Sequence, residues 1–133
     1  MRLWHKDMIP YLPRQQLLGQ WREVCAIARN IEKDGTPNHV LVNKVMDYPP
    51  EHFNRYAWMI YNEMKGRGYS AEWERFTKEH KIVLLADERD LFKDWHNDRY
   101  LVQCLYNLQE KADCGAIPAW EWKRIRERWP GIG

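Results

Sequence analysis

Arg14-Gln15-Gln16-Leu17-Leu18-Gly19-Gln20-Trp21-Arg22-Glu23-Val24-Cys25-Ala26-Ile27-Ala28-Arg29-Asn30-Ile31-Glu32-Lys33 is the stretch that decides the fold class. Stepped at roughly 100° per residue, Leu17, Leu18, Trp21, Val24, Cys25, Ile27, Ala28 and Ile31 fall on one half of a helical wheel. Pro10 and Pro13 lead into this helix, and Asp34-Gly35 stops it. Gln15, Gly19, Arg22, Glu23, Ala26 and Asn30 gather on the other side. They mix two small residues, two amides and an Arg-Glu pair. Such a face is either plainly solvated or one that something approaches closely.

Outward from this helix, the pattern stays helical. A loop, Gly35-Thr36-Pro37-Asn38-His39, leads to an apolar stretch over Val40–Val45. A second helix is predicted from Pro49-Pro50, burying Phe53, Ala57, Ile60, Tyr61 and Met64. It ends at Gly66-Arg67-Gly68, where glycine takes the left-handed C-cap. Ser70 is the expected cap of a short third helix through Lys78. Ile82–Leu85 reads as strand or helix. Asp98 opens a helix to about Ala112, with Leu101, Val102, Leu105 and Leu108 inward, and Pro118 begins an aromatic tail helix. No repeat or linker divides the chain. The expectation is a compact all-α fold forming a single domain over residues 1–133.

Composition narrows the function classes. The chain has 133 residues, 44% hydrophobic and 30% charged, ordinary for a globular protein. Eight Trp exceed what so small a core needs, so one or two are expected on a binding surface. Net charge is +2, with the basic excess in the half holding Arg2, Arg14, Arg22 and Arg29. A second basic run, Lys123-Arg124-Ile125-Arg126-Glu127-Arg128, lies beside Trp120, Trp122 and Trp129. This is a mild nucleic-acid signature. Cys25, Cys104 and Cys114 form no CxxC and no disulfide framework, which points to a reducing compartment. No apolar run approaches the roughly 18 residues of a membrane span, and no secretory or lipidation signal is recognised. A cytoplasmic monomer is expected.

Most site chemistries find no support. The histidines at 5, 39, 52, 80 and 96 show no metal-ligand spacing, so neither metal nor cofactor is expected. His39, in an interhelical loop, is kept as a candidate phosphate or base contact. No Ser or Cys has an evident base partner. The amino terminus is different, because Leu3 and Trp4 are expected to hold the α-amine against the fold. An α-amine titrates near neutrality, at roughly 7.7–8.0, without help. Glu23 is its expected neighbour. Desolvation raises the pKa of such a carboxyl while Arg22 and an α-ammonium lower it, and the sequence leaves the balance open. An amine beside a carboxylate is the equipment of Schiff-base chemistry.

The pattern Arg2-Leu3, Leu12-x-x-Gln15-x-Leu17-Leu18, Trp21-Arg22-Glu23 and Lys65-Gly66-Arg67-Gly68-Tyr69 resembles the pyrimidine-dimer DNA glycosylases of the phage endonuclease V type. The opening Met-Arg-Leu-Trp is similar to their short bacterial relatives, and Pro118-Ala119-Trp120-Glu121-Trp122-Lys123 resembles the family's aromatic C-terminal segment. The resemblance implies an all-α fold whose N-terminal segment threads between helices, and a glycosylase/AP lyase acting on duplex DNA. By position, Met1 supplies the attacking amine and Glu23 the catalytic carboxylate. Arg2, Arg22 and Gln15 fall among the DNA contacts, with Trp120, Trp122 and Lys123 in the tail. Two departures stand out. The phage enzymes present Thr where this chain has Met1, which bulky Arg2 is expected to protect from removal. The family's arginine three residues after the glutamate is Ala26 here, so Arg29 is the candidate to replace it. Two other readings stay open: a non-catalytic helical module that binds nucleic acid or protein, and a small-molecule Schiff-base enzyme.

Overall fold

Helix α1 runs Arg14–Asp34 in the computed structural model, which describes residues 1–78, 80 and 84–131. Gly35, at φ 76°, closes it in the left-handed conformation that glycine adopts without strain. Its first turn begins at Pro13 and has no side-chain cap of its own. Glu121 supplies one from the far end of the chain: its Oε2 accepts the Arg14 N–H at 2.7 Å. A carboxylate there also meets the positive end of the helix dipole.

Helix α2 spans Pro50–Gly66, with Pro50 in the first turn and Phe53, Asn54, Tyr56, Ala57, Ile60 and Met64 buried. It packs on α1. Gly68, at φ 80°, follows its end, and Tyr69 N–H bonds back to Met64 O at 2.9 Å. Helix α3 is shorter than expected, Trp73–Thr77. Ser70 does not cap it; Glu72 holds the N-cap position, and Ser70 lies in the non-helical lead-in. Helix α4 spans Asp98–Asp113, capped by the Asn97 side chain accepting from Tyr100 N, and α5 spans Ala119–Arg128. Cys104, Leu105 and Leu108 are buried in α4, but Val102 faces solvent. The inward arc of α4 is narrower than its apolar residues implied. Ile82 and Val83 lie outside the described residues, and Leu84 and Leu85 belong to neither strand nor helix.

The described residues are thus all-α, completed by 3₁₀ helices at Lys6–Tyr11 and Asn43–Asp47. No helix among them is long and apolar enough to cross a membrane. Trp21 of α1 meets an aromatic cluster of Tyr61, Trp58 and Trp73, which continues through Phe76 to Phe53. Of the eight Trp, Trp120 is the most exposed, at 64%.

Residues 3–5 are buried and thread between elements. Tyr56 of α2 reaches Trp4 O at 2.8 Å, and Tyr100 of α4 donates its hydroxyl to Leu3 O. His5 Nε2 donates to His96 O at 2.9 Å, and Lys6 N–H donates to His96 Nδ1 at 2.9 Å. The two imidazoles stack with centroids 5.2 Å apart. His96 must be neutral to accept at Nδ1, as must His5, whose own Nδ1 accepts the Asp7 N–H at 3.1 Å. Burial above all, with His5 and Lys6 beside it, holds His96 down to about 2.

That depression has a direct consequence for stability. The unfolded chain protonates His96 near 6.5 while the folded protein cannot, so stability is full above 6.5 and lost as pH falls. Each pH unit below that point should withdraw about 1.4 kcal/mol. Urea unfolding between pH 7 and 5 checks this: wild type should show a steeper loss than His96→Gln. Equal slopes would mean His96 titrates normally in the fold.

Candidate active site

The threading of residues 2–4 along α1 creates a cavity of about 400 Å³. Its walls come from three places: Met1, Arg2 and Trp4; Gln15, Gln16, Gly19 and Glu23 of α1; and Leu41, Asn107 and Lys111. Four of the residues singled out in the sequence therefore share one cavity, namely Met1, Arg2, Gln15 and Glu23.

Gln20 builds this arrangement, and it is nearly inaccessible at 1% exposure. Its Oε1 accepts the Trp4 N–H at 2.9 Å and lies 2.7 Å from the Tyr56 hydroxyl. Its Nε2 donates to Arg2 O and to Glu23 Oε2, each at 3.0 Å. Both donor hydrogens of the amide are used, and its oxygen takes the Trp4 N–H and shares the single Tyr56 hydroxyl hydrogen with Trp4 O. One side chain therefore fixes the path of the N-terminal segment and the orientation of the carboxylate.

Glu23 is half-buried, and burial pushes its carboxyl above the usual carboxylate range. The amino terminus and Arg22 pull the other way but by less. The sequence left that balance open; desolvation wins. Met1 itself is 44% exposed and makes no ion pair with Glu23 among the described residues, so amine and carboxylate face one space without touching. The expected close hold on the α-amine falls instead on Leu3 and Trp4.

The cavity carries more positive than negative charge. Arg2 lies over the Trp4 ring at 5.6 Å with Nη1 3.8 Å from Cys104 Sγ, and Lys111 Nζ lies over the same ring at 6.0 Å. Lys111 also donates to Asn107 Oδ1 at 2.9 Å. With the amino terminus these cations outnumber the single carboxylate, which suits an anionic ligand. Gln16 Oε1 is buried without a hydrogen-bond partner among the described residues. A Cβ on Gly19 would meet only Arg22 Nη2, at 3.9 Å. No packed protein group demands glycine there, and the room it leaves belongs to the cavity.

The other candidates lie elsewhere. Arg22 is exposed and lines a separate cavity with Trp21 and Arg75. Arg29 is exposed further along α1. His39 spends Nδ1 inside its own loop, accepting from Leu41 N at 3.3 Å. Trp122 and Lys123 line a groove near the C-terminus, and Trp120 stands out from α5. No group of three or more His, Cys, Asp or Glu among the described residues is placed to hold a metal ion.

Sequence reasoning missed Gln20, Asn107 and Lys111. Gln20 had a signal: on the wheel it falls between Ile27 and Ile31, a polar residue on the apolar face. Replacing it strands buried partners, each costing about 1–3 kcal/mol. Gln20→Leu should therefore destabilise the fold by about 2–4 kcal/mol in chemical denaturation. Glu23→Gln should do the opposite. A carboxyl raised by burial weakens the fold as pH climbs past its ordinary value of 4.5, so the neutral amide should raise the Tm at pH 7. An unchanged or lower Tm would place Glu23 in water.

A family model described as pyrimidine dimer DNA glycosylase matches residues 1–76, more than half of the chain. That span includes every cavity residue from Met1 to Leu41, and leaves out Asn107 and Lys111. No curated protein and no solved structure matches the chain.

Proposed function

Because this chain belongs to the pyrimidine dimer DNA glycosylase family, with DNA as its substrate, we propose that it works as a bifunctional glycosylase/AP lyase on cyclobutane pyrimidine dimers in duplex DNA. The observation that carries the mechanism is the shared cavity of the Met1 amine and the half-buried Glu23 carboxyl, with Gln20 orienting the carboxyl. In the first step the neutral α-amine attacks C1′ of the damaged nucleotide. The C1′–N bond to the base breaks, and the base keeps the bonding pair, takes up a proton and stays tethered to its neighbour through the cyclobutane ring. The C1′–O4′ bond then breaks, O4′ takes the proton lost by the amine, and the opened sugar is an imine on Met1. Ionised Glu23 then removes a proton from C2′. Electrons move toward the iminium, the C3′–O3′ bond breaks, and the 3′ strand departs as a phosphate. Water hydrolyses the imine and returns the amine.

Each environment suits its step. A carboxylate of raised pKa is a stronger base than a solvated one, which favours abstraction from carbon. Arg2 and Lys111 supply the positive field for the phosphates flanking the lesion, and Gln15 and Gln16 offer amides to the nucleotide. A flipped-out nucleotide fits this design better than base-edge readout. Arg22, Arg29, His39, Trp120, Trp122 and Lys123, outside this cavity, are assigned to the surrounding duplex. One cavity needs one protein molecule, so the active species is a monomer.

Borohydride trapping of the untagged chain tests the reading, on duplexes carrying a cyclobutane dimer or an abasic site. A covalent adduct mapped to the Met1 amine is expected on both. An N-terminal extension should abolish trapping while leaving the melting curve unchanged. Glu23→Gln should slow strand cleavage by about 10²–10⁴-fold, the usual contribution of a general base. No adduct with a verified free amino terminus would reduce the chain to a binding module. Cleavage that survives the extension would remove Met1 from the mechanism.

A further inference from the structure

The loop between α1 and the second 3₁₀ helix presents two apolar side chains to solvent. Val40 is 83% exposed and Leu41 52%, while Val42 and Val45, two and four residues past Val40 and Leu41 respectively, are buried as anchors. The loop is braced from within. Asn30 Nδ2 donates to Pro37 O at 3.1 Å, and Asn38, at φ 62°, donates its side-chain amide to Asp34 at 2.7 Å. Asn43 Oδ1 accepts from His39 N at 3.0 Å, and Val42 and Asn43 N–H both return to His39 O. So much internal bonding around an exposed apolar tip holds it out as a preformed feature.

Its surroundings identify what it meets. Leu41 lines the Met1–Glu23 cavity and also a second, larger cavity of about 590 Å³. Arg2 is the other residue the two share. The larger cavity gathers Arg2, Lys44 and Arg99 against a single carboxylate, Asp94. Lys44 and Arg99 enter no ion pair among the described residues. An apolar tip flanked by unpaired cations is complementary to one kind of surface, a base stack edged by phosphates. A protein partner of matching shape would need an acidic rim and an apolar pocket together; duplex DNA offers both in one repeat.

We propose that Leu41, supported by Val40, is a wedge that enters the base stack at the lesion presented to the Met1–Glu23 cavity, while Lys44 and Arg99 hold the neighbouring phosphates. The proposal rests on the reading of the chain as an enzyme of duplex DNA. Apolar wedges of this kind unstack a base step and kink the duplex. Leu41 fills the gap opened at the unstacked step, and Arg2, common to both cavities, sits where the backbone turns. Lys44 and Arg99 act through charge alone, so their contribution carries the salt dependence.

The test uses the full chain and a duplex holding an uncleavable tetrahydrofuran abasic analogue flanked by 2-aminopurine. Wild type should raise the 2-aminopurine fluorescence on binding. Leu41→Ala should lose most of that rise and bind about tenfold more weakly, with an unchanged salt slope. Leu41→Met should restore it. Lys44→Gln with Arg99→Gln should instead lower the salt slope by about 2 and leave the fluorescence of the saturated complex intact. The substituted side chains are exposed, and matching melting curves confirm folding. Equal affinity and fluorescence for wild type and Leu41→Ala would overturn the wedge and leave the tip to a protein partner. So would an altered salt slope in Leu41→Ala, or a wild type that binds without any fluorescence rise. None of these readouts needs turnover, so the wedge stands or falls separately from imine trapping.

Discussion

The Gln20 amide, joined to four partners at once, is the constraint on which the rest depends. A side chain so buried is stable only if every polar valence is met, and Gln20 meets its own with Arg2 O, Trp4 N, the Tyr56 hydroxyl and Glu23. No apolar residue and no shorter amide would join these partners. Through it, three otherwise separate facts become one: the route of the N-terminal segment, the packing of α1 on α2, and the direction of the Glu23 carboxyl. The cavity is what remains open once that network is closed.

Around this hub the positive charge is arranged by packing as well as by composition. Arg2 and Lys111 both rest on the Trp4 ring, which is buried because the segment threads between helices. A cation over an aromatic face keeps much of its charge available while its position is fixed. The overall charge of +2 hides this concentration, since the exposed acids lie elsewhere on the surface. Local geometry decides the field at the site, not the sum.

Much of this was legible in the sequence. The 3.6-residue period gave α1 to within a residue, and proline and glycine marked both ends of α2, because local chemistry alone governs those features. Met1, Arg2, Gln15 and Glu23, all named from the sequence, line one cavity. Other features depend on distant partners and left no local trace. Nothing in the sequence near Glu121 marks it as a cap, yet it caps α1 across 107 residues. Val102 fits the apolar period of α4 but finds nothing to pack against. Ser70 is a good cap in isolation, and tertiary packing starts α3 at Trp73 instead. Val40 and Leu41 belong to an apolar stretch whose pattern does not say which side chains turn inward, and the fold leaves these two exposed while burying Val42 and Val45.

The bonds that secure residues 3–5 also set the order in which the protein assembles. Helices form from neighbours in sequence and close quickly, whereas contacts between distant residues wait for loop closure. Leu3 is tied to Tyr100 across 97 residues, His5 to the carbonyl of His96 across 91, and Trp4 to Tyr56 across 52. Residues 3–5 therefore reach their full set of bonds only when segments far along the chain have docked. Without α4, residues 2–4 keep only their bonds to Gln20 and Tyr56 beside Glu23. The cavity wall of Asn107 and Lys111 comes with α4, so a chain truncated before it carries the reactive groups without the full enclosure that joins them.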